Sequence, residues 1–380
     1  MDRTLEENVM NIAIWGAGKF GTYVCERLKE KRHTIIFIDN NAENINSVMG
    51  TKVVSPAEYM KCYKSNIDVL LVAVLEWQEI WQKLCEMEID NCGVVNSGVY
   101  YYQLNLAEDI LKDTHIVWKS ELENKKAFMK KLETNVVDYC NMNCRGCSHF
   151  SNIFQKGDTV GYESFKKDIQ YLSNKVFISH FDLLGGEAFL SKQLGQYIEC
   201  LRQYMPKTSI SVVSNGLLIP KQSEELLAYI KEKDVLVSIT EYPPTAKRKD
   251  KIIGTLEKFG IWYEFRGHVE TFGKNIDLSG KNDPYRAQRE CREFRCHFLR
   301  NGIIYKCPFS ALGNHFFTRY EIPLHFEEGV DIYDDKTDLH KALQALDTDP
   351  IEQCRYCGRE ERFSWEVSMQ PESSEWLIDG

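Results

Sequence analysis

The sequence predicts an α/β protein: a short dinucleotide-binding type of unit, then a longer run of alternating strands and helices, then a cysteine-rich end. Three observations carry this. A glycine-rich turn follows the first strand, apolar runs of strand length alternate with amphipathic helical stretches, and most of the thirteen cysteines in 380 residues fall into two sets. Hydrophobic residues make up 43% of the chain and no apolar run has membrane-spanning length, so a soluble globular protein of two or three domains is expected, with no membrane partner. The start, Met-Asp-Arg-Thr-Leu-Glu-Glu-Asn, reads as neither a secretion signal nor a transit peptide, which predicts a cytoplasmic protein. In that setting so many cysteines point to metal and not to disulfides. The net charge of −9 offers no footprint for nucleic acid, and the basic run 247–251 reads as a solvated helix face.

The first unit is placed at residues 1–105. Residues 11–15 form a strand, and Gly16-Ala17-Gly18-Lys19-Phe20-Gly21 then opens a helix through about Lys31. A second strand at 34–39 ends in Asp39, eighteen residues past Gly21. This is the dinucleotide fingerprint in spacing and in context. Gly16, Gly18 and Gly21 give a tight turn and close approach to a phosphate at the helix N-terminus, and Asp39 gives an acceptor for ribose hydroxyls. Strands at 68–74 and 93–96 continue the β-α-β pattern over about half a Rossmann domain. The unit resembles the small Rossmann-like modules found beside enzymes of bacterial glycan assembly. Three readings stay open: NAD, a nucleotide-sugar or related phosphate ligand, or a docking module with a vestigial loop.

Residues 106–132 are charged and predict a helical connector. From 133 to 288 the pattern alternates regularly. Helices are predicted at 162–173, 192–204, 223–233 and 247–259, and strands at 134–139, 176–184, 209–214, 235–240 and 262–266. A further strand is placed at 275–278. Such alternation implies a parallel sheet with right-handed crossovers. In parallel barrels the chemistry lies at the carboxyl ends of strands. Those ends carry Glu187, Asn215, Glu241, Tyr242, Arg266 and His268. Pro243-Pro244 would stop the strand before it and hold Glu241 and Tyr242 at the rim. Each of the last four residues suits either catalysis or a rim salt bridge.

The first cysteine set is Cys140-Asn-Met-Asn-Cys144-Arg-Gly-Cys147, directly after a β-like run. Four thiolates are normal for a [4Fe–4S] cube, so three leave one iron open to a ligand from outside the protein. Zinc is the alternative, with His149 close by. Two further runs follow at strand ends, Gly185-Gly186-Glu187 and Ser214-Asn215-Gly216. With these three runs in order the chain resembles the radical S-adenosylmethionine (SAM) superfamily. The resemblance implies a partial (β/α)6 radical SAM barrel and a [4Fe–4S] cluster on Cys140, Cys144 and Cys147 whose open iron binds SAM. It also implies a contact from Gly185-Gly186-Glu187 to the SAM amino group, and places Ser214 and Asn215 near its ribose and carboxylate. Gly146 stands where the superfamily often has an aromatic residue, so His149 or Phe150 is expected to meet the adenine.

A cysteine-rich module is placed at 289–380. Asn301-Gly302 between two apolar runs signals a hairpin. Cys291, Cys296, Cys307, Cys354 and Cys357, with Gly302 five residues before Cys307, resemble the SPASM/twitch auxiliary-cluster module in its one-cluster form. Five thiols compete for four places, with Cys291 or Cys296 as the first ligand; a structural zinc site is the alternative. The buried-helix pattern around Cys200 reads as structural.

The resemblance implies reductive cleavage of SAM to a 5′-deoxyadenosyl radical that abstracts a substrate hydrogen, with an electron donor such as flavodoxin or ferredoxin. It extends over about 136–360. The runs around Cys147, Glu241 and Asn301 look like radical SAM proteins encoded in glycan and polysaccharide clusters. Oxidation or epimerisation of a sugar or sugar-nucleotide carbon is therefore the expected chemistry. A maturase of ribosomal peptides and a non-catalytic iron–sulfur or zinc interaction protein are the alternatives.

Overall fold

The computed structural model describes residues 9–29, 32–96, 115–123, 125, 127–156 and 161–378. It divides after Phe128 into two compact units.

The front unit is one twisted sheet. Strands β1 (Asn11–Trp15), β2 (Thr34–Ile38), β3 (Ser47–Val48), β4 (Thr51–Val54), β5 (Val69–Val72), β6 (Cys92–Val95) and β7 (Ile116–Trp118) stand in the order β3-β4-β2-β1-β5-β6-β7. The four central pairings are parallel, and β3 and β7 are the antiparallel edges. Helix α1 (Lys19–Lys29) buries Phe20, Val24, Cys25 and Leu28. Central strands buried on both faces require the continuous apolar runs that made them legible.

The second unit holds an eight-stranded sheet. Strands β8 (Ala127–Val137), β9 (Val176–Gly185), β10 (Ser209–Ser214), β11 (Leu236–Glu241) and β12 (Tyr263–His268) follow one another outwards, with β9 to β12 paired in parallel. The intervening helices Tyr162–Ser173, Leu194–Tyr204, Glu224–Glu232 and Lys249–Lys258 lie close to their expected positions. Ser223 starts one of them by accepting from the Leu226 amide at 3.2 Å. The mixed α/β architecture is thus a Rossmann-like unit followed by a parallel β/α array.

Two expectations are corrected. The strand placed at 275–278 does not extend the parallel sheet. Strand β13 (Thr271–Ile276) instead pairs antiparallel with β17 (Cys357–Ser364) in a separate ribbon. The place beside β8 is taken by β14 (Phe298–Arg300), whose Phe298 is in parallel register with Glu133. Part of the predicted helical connector lies outside the described residues. Its described part holds β7, a single helical turn at Lys119–Leu122 and the first half of β8. Glu121 and Glu123 stay exposed, but one charge of the stretch goes inside the sheet, where the Lys131 ammonium lies 2.7 Å from Asp182 and 3.2 Å from Glu133.

The Asn301-Gly302 hairpin is present. Both residues have positive φ, as a tight two-residue turn between β14 and β15 (Ile303–Tyr305) requires. Behind it Phe150, Phe298, Phe309, Phe316, Phe317 and Trp376 form an aromatic core. Among the described residues no helix is long and apolar enough to cross a membrane.

Candidate metal centre

Strand β8 ends at Val137 and hands the chain to the loop that carries Cys140, Cys144 and Cys147. The three thiols lie near enough for the charges of Cys144 and Cys147 to act on Cys140. Burial pushes the Cys144 thiol up to about 12, reinforced by the charge of Cys147. Burial likewise raises Cys140, with Glu187, Cys147 and Cys144 adding to it. Thiolates that repel one another in a dry pocket need a positive core among them, and an iron–sulfur group supplies one. The donor set therefore fits the group that the spacing suggests. All thirteen cysteines are free thiols.

The strand-end runs meet this loop. Gly186 is required by the chain's own backbone: a Cβ there would lie 2.1 Å from the Tyr139 carbonyl oxygen and 2.7 Å from the Cys140 nitrogen. Gly185 has φ +150°, and a Cβ would lie 2.0 Å from the Val137 carbonyl oxygen. The pair lets β9 close on the root of the cysteine loop. Glu187 is 1% exposed, and its carboxylate accepts from Ser214 Oγ at 2.8 Å, the Asn215 amide at 2.9 Å and the Phe189 amide at 3.1 Å. It thus fastens the end of β9 to the end of β10. Asn215 Nδ2 in turn reaches Asn141 Oδ1 at 2.8 Å and the Cys140 sulfur at 3.8 Å. The three runs noticed separately in the sequence form one hydrogen-bonded unit.

Other expected site residues divide. Tyr242 lies beside the loop, its phenol pushed well up by burial and by the charges of Cys144, Cys147 and Cys140. Glu241 is paired with Lys249 and stands 3.3 Å from His268 Nδ1, and the Lys249 contact holds its carboxyl low. Arg266 donates to Ser238 and to Asp182 Oδ2 at 3.2 Å. Phe150 is 1% exposed, with its ring centroid 5.2 Å from Phe316 and 5.8 Å from Trp376, at the edge of the aromatic core. His149 is partly exposed, 3.4 Å from Asn135 Oδ1, and burial pulls its imidazole down to about 4.

The C-terminal segment supplies residues that the sequence did not flag. Trp365 Nε1 donates to the Cys144 sulfur at 3.2 Å, and Trp376 Nε1 to the Cys147 carbonyl at 2.8 Å. The Arg145 amide donates to the Glu366 carbonyl at 2.9 Å, and the Ser368 amide to that of Asn143 at 2.8 Å. This strap explains Gly146, where a Cβ would lie 2.8 Å from the Phe363 ring and 2.9 Å from the Glu375 carbonyl oxygen. No aromatic side chain fits there.

A second missed feature is a polar interior. Asp182, fully buried on β9, meets Lys131 at 2.7 Å, His180 at 2.8 Å, Arg266 at 3.2 Å and the Ser211 hydroxyl. Burial works against its charge, but His180, Lys131 and Arg266 outweigh it and hold the carboxyl well below the usual range. The sequence signal was a period-two polar pattern, 131/133/135 on β8 and 209/211 on β10, in strands otherwise apolar.

Cys291, Cys307, Cys354 and Cys357 line one cavity of about 430 Å³, with Gly146 and Ser148 of the first loop in its wall. Cys357 is pushed well up by burial and then by Cys307, Cys354 and Cys291. Cys296 stands apart, among Glu133, Lys131 and Glu293. Cys291, then, keeps company with the other three. Among the described residues no three His, Cys, Asp or Glu side chains gather as the ligands of one metal ion would; what the four thiols share is a space large enough for a cluster.

In the front unit Gly21 packs against the loop itself, its Cβ position 1.8 Å from the Gly16 carbonyl oxygen, while Gly18 faces open space. Asp39 Oδ2 accepts from the Ala17 amide at 2.9 Å and Oδ1 from the Asn41 amide at 2.9 Å, so the carboxylate fastens the glycine turn.

Residues 131–255 match the family described as 4Fe-4S single cluster domain, and residues 12–74 match the TrkA-N domain. A Rossmann-like stretch is thus followed along the chain by one similar to single-cluster iron–sulfur domains. All three runs by which it resembles radical SAM enzymes lie inside the first of these matches. No curated protein matches. Among solved structures, anSMEcpe with bound AdoMet is similar at 16% identity over 37% of this chain and 42% of that chain, TM-score 0.31. BtrN in complex with AdoMet and 2-DOIA is similar at 14% identity over 61% and 93%, TM-score 0.35. SuiB of Streptococcus suis bound to S-adenosylmethionine is similar at 11% over 74% and 78%, TM-score 0.32. The chain spans less than half the length of anSMEcpe.

Proposed function

We propose that this protein is a radical SAM enzyme that oxidises a carbon of a sugar or sugar-nucleotide. The observation that carries the reading is the joining of three motifs into one site: Cys140 to Asn215, and Asn215 to Glu187, at the ends of adjacent parallel strands. A [4Fe–4S] cluster on Cys140, Cys144 and Cys147 would supply the electron that splits SAM into methionine and a 5′-deoxyadenosyl radical. Glu187 holds the β9 and β10 ends in register and Asn215 ties them to the loop, while Tyr242 and Trp365 wall the thiols from water. Below them the partly exposed Lys131, His180 and Arg266, held by buried Asp182, Ser211 and Ser238, give this interior a polar character suited to a hydroxyl-rich substrate and poorly suited to an apolar one. Cys291, Cys307, Cys354 and Cys357 would hold the auxiliary cluster, a one-electron acceptor that oxidation needs. The front unit, with Gly18 open, is read as a nucleotide or nucleotide-sugar module.

A second reading rests on Cys296. Left outside the four-thiol cavity and turned towards Lys131 and Glu133, it suits a hydrogen-atom donor, and the outcome would then be epimerisation. One experiment tests both. Anaerobically reconstituted protein should hold about eight irons, and the Cys140/Cys144/Cys147→Ala variant about four with no SAM cleavage. Turnover of the substrate in deuterated water then separates a product two hydrogens lighter from an isomer carrying one deuterium. About four irons in the wild type, with stoichiometric zinc at the second set, would overturn the auxiliary-cluster assignment.

A further inference from the structure

An arginine stands at every third position from 286 to 295: Arg286, Arg289, Arg292 and Arg295, all exposed. The first two lie on the exposed face of helix Pro284–Glu290, started by Asp283, whose Oδ1 accepts from the Tyr285 and Arg286 amides at 2.9 and 3.2 Å. The next two lie in the turn after it. Between them Tyr285 is 60% exposed and Phe294 is 40% exposed, unusual for large rings. Arg292 is paired with Glu360 at 2.9 Å, and the Arg295 guanidinium lies 5.1 Å from the Phe294 ring centroid, so this part of the face is held in place. From 281 to 306 the exposed charges are five cations, Lys281 and the four arginines, against two anions, Asp283 and Glu290, while the whole protein has net charge −9. Cys291, one of the four thiols around the 430 Å³ cavity, is exposed in the middle of the run.

We infer that this face docks an acidic one-electron carrier protein of the flavodoxin or ferredoxin type. The inference rests on the proposed function. Exposed arginines with two rings among them have the composition of an interface centre. A positive face on a negative protein steers an acidic partner to one place. Cys291 then puts that partner beside the group its thiol helps to hold. The oxidised carrier takes up there the one electron that substrate oxidation would leave on that group, and departs singly reduced. A role confined to balancing the thiolates accounts for Arg286, Arg292 and Arg295, which line the cavity, but not for Arg289, which is exposed on the helix outside it.

The test uses the reconstituted protein and a recombinant acidic flavodoxin, with binding followed by surface plasmon resonance at low and high salt. Wild-type binding should weaken at least roughly tenfold as salt rises, and Arg286→Glu/Arg289→Glu should cost a similar factor at low salt. Arg286→Lys/Arg289→Lys should bind nearly as well as wild type, and Lys247→Glu/Lys251→Glu, on a basic run elsewhere, should change little. Flavodoxin binding that is absent, or unchanged by the charge reversal, or outcompeted by an RNA oligonucleotide on this face, overturns the inference. SAM cleavage driven by dithionite is measured alongside. Its absence in the wild type would remove the enzymatic reading, whereas its persistence in a variant that no longer binds flavodoxin isolates the docking face.

Discussion

Glu133 makes the polar interior measurable. It lies on β8, 3% exposed, and shares the Lys131 ammonium with Asp182, at 3.2 and 2.7 Å respectively. Two carboxylates compete for one cation. Asp182, with His180 and Arg266 as well, stays ionised. Burial pushes Glu133 up to about 7; Lys131 opposes the rise and Asp182 adds to it. The folded protein therefore keeps a proton on Glu133 that the unfolded chain releases near 4.5. The sign follows: stability from this group is full below the unfolded value and falls as pH rises towards 7, because over that window the native state binds more protons. Moving an ionisation from 4.5 to about 7 corresponds to about 3 kcal/mol. Glu133→Gln cannot ionise and can still accept from Lys131. Urea unfolding under anaerobic conditions at pH 5 and pH 8 should show the variant gaining on the wild type by about 2–3 kcal/mol between the two. Parallel profiles would refute the shared-cation argument and with it the description of the interior as a coupled network.

Two further outcomes follow from single contacts. Trp365→Phe keeps the ring and removes the N–H that meets the Cys144 sulfur at 3.2 Å. Hydrogen bonds to cluster sulfurs raise reduction potential, so potentiometric titration followed by EPR should place the first cluster lower in the variant at unchanged iron content, and an unmoved potential would leave Trp365 a packing residue. Gly18→Val places its side chain in open space and should fold as wild type while weakening NAD or UDP-sugar binding at least roughly tenfold by calorimetry, whereas Gly21→Ala, 1.8 Å from the Gly16 carbonyl oxygen, should disturb the front unit itself. A wild type that binds neither ligand would make the front unit a docking module.

The sequence by itself determined what depends on neighbours along the chain. Central strands of a covered parallel sheet are apolar throughout, and amphipathic helices repeat every three to four residues, so 162–173 and 209–214 were legible to the residue. Asn301-Gly302 announced its own turn, and the three short motifs announced iron–sulfur chemistry through the types and spacing of their residues. Tertiary structure decided whatever turns on residues distant in sequence. Whether Cys291 or Cys296 joins the other thiols depends on how one turn packs, because both satisfy the spacing. Gly146 looked like a departure from a pattern until Phe363 and Glu375 filled the space above it. That Phe150 packs on Phe316 and Trp376 is likewise a matter of residues far along the chain. Lys131 fell in the stretch that predicted a helical connector, because the two acids that draw it inward, Glu133 and Asp182, face it only once β8 and β9 lie side by side. Trp365 is 221 residues from the sulfur it meets, and no local pattern encodes a hydrogen bond made only after the whole domain has closed around its loop.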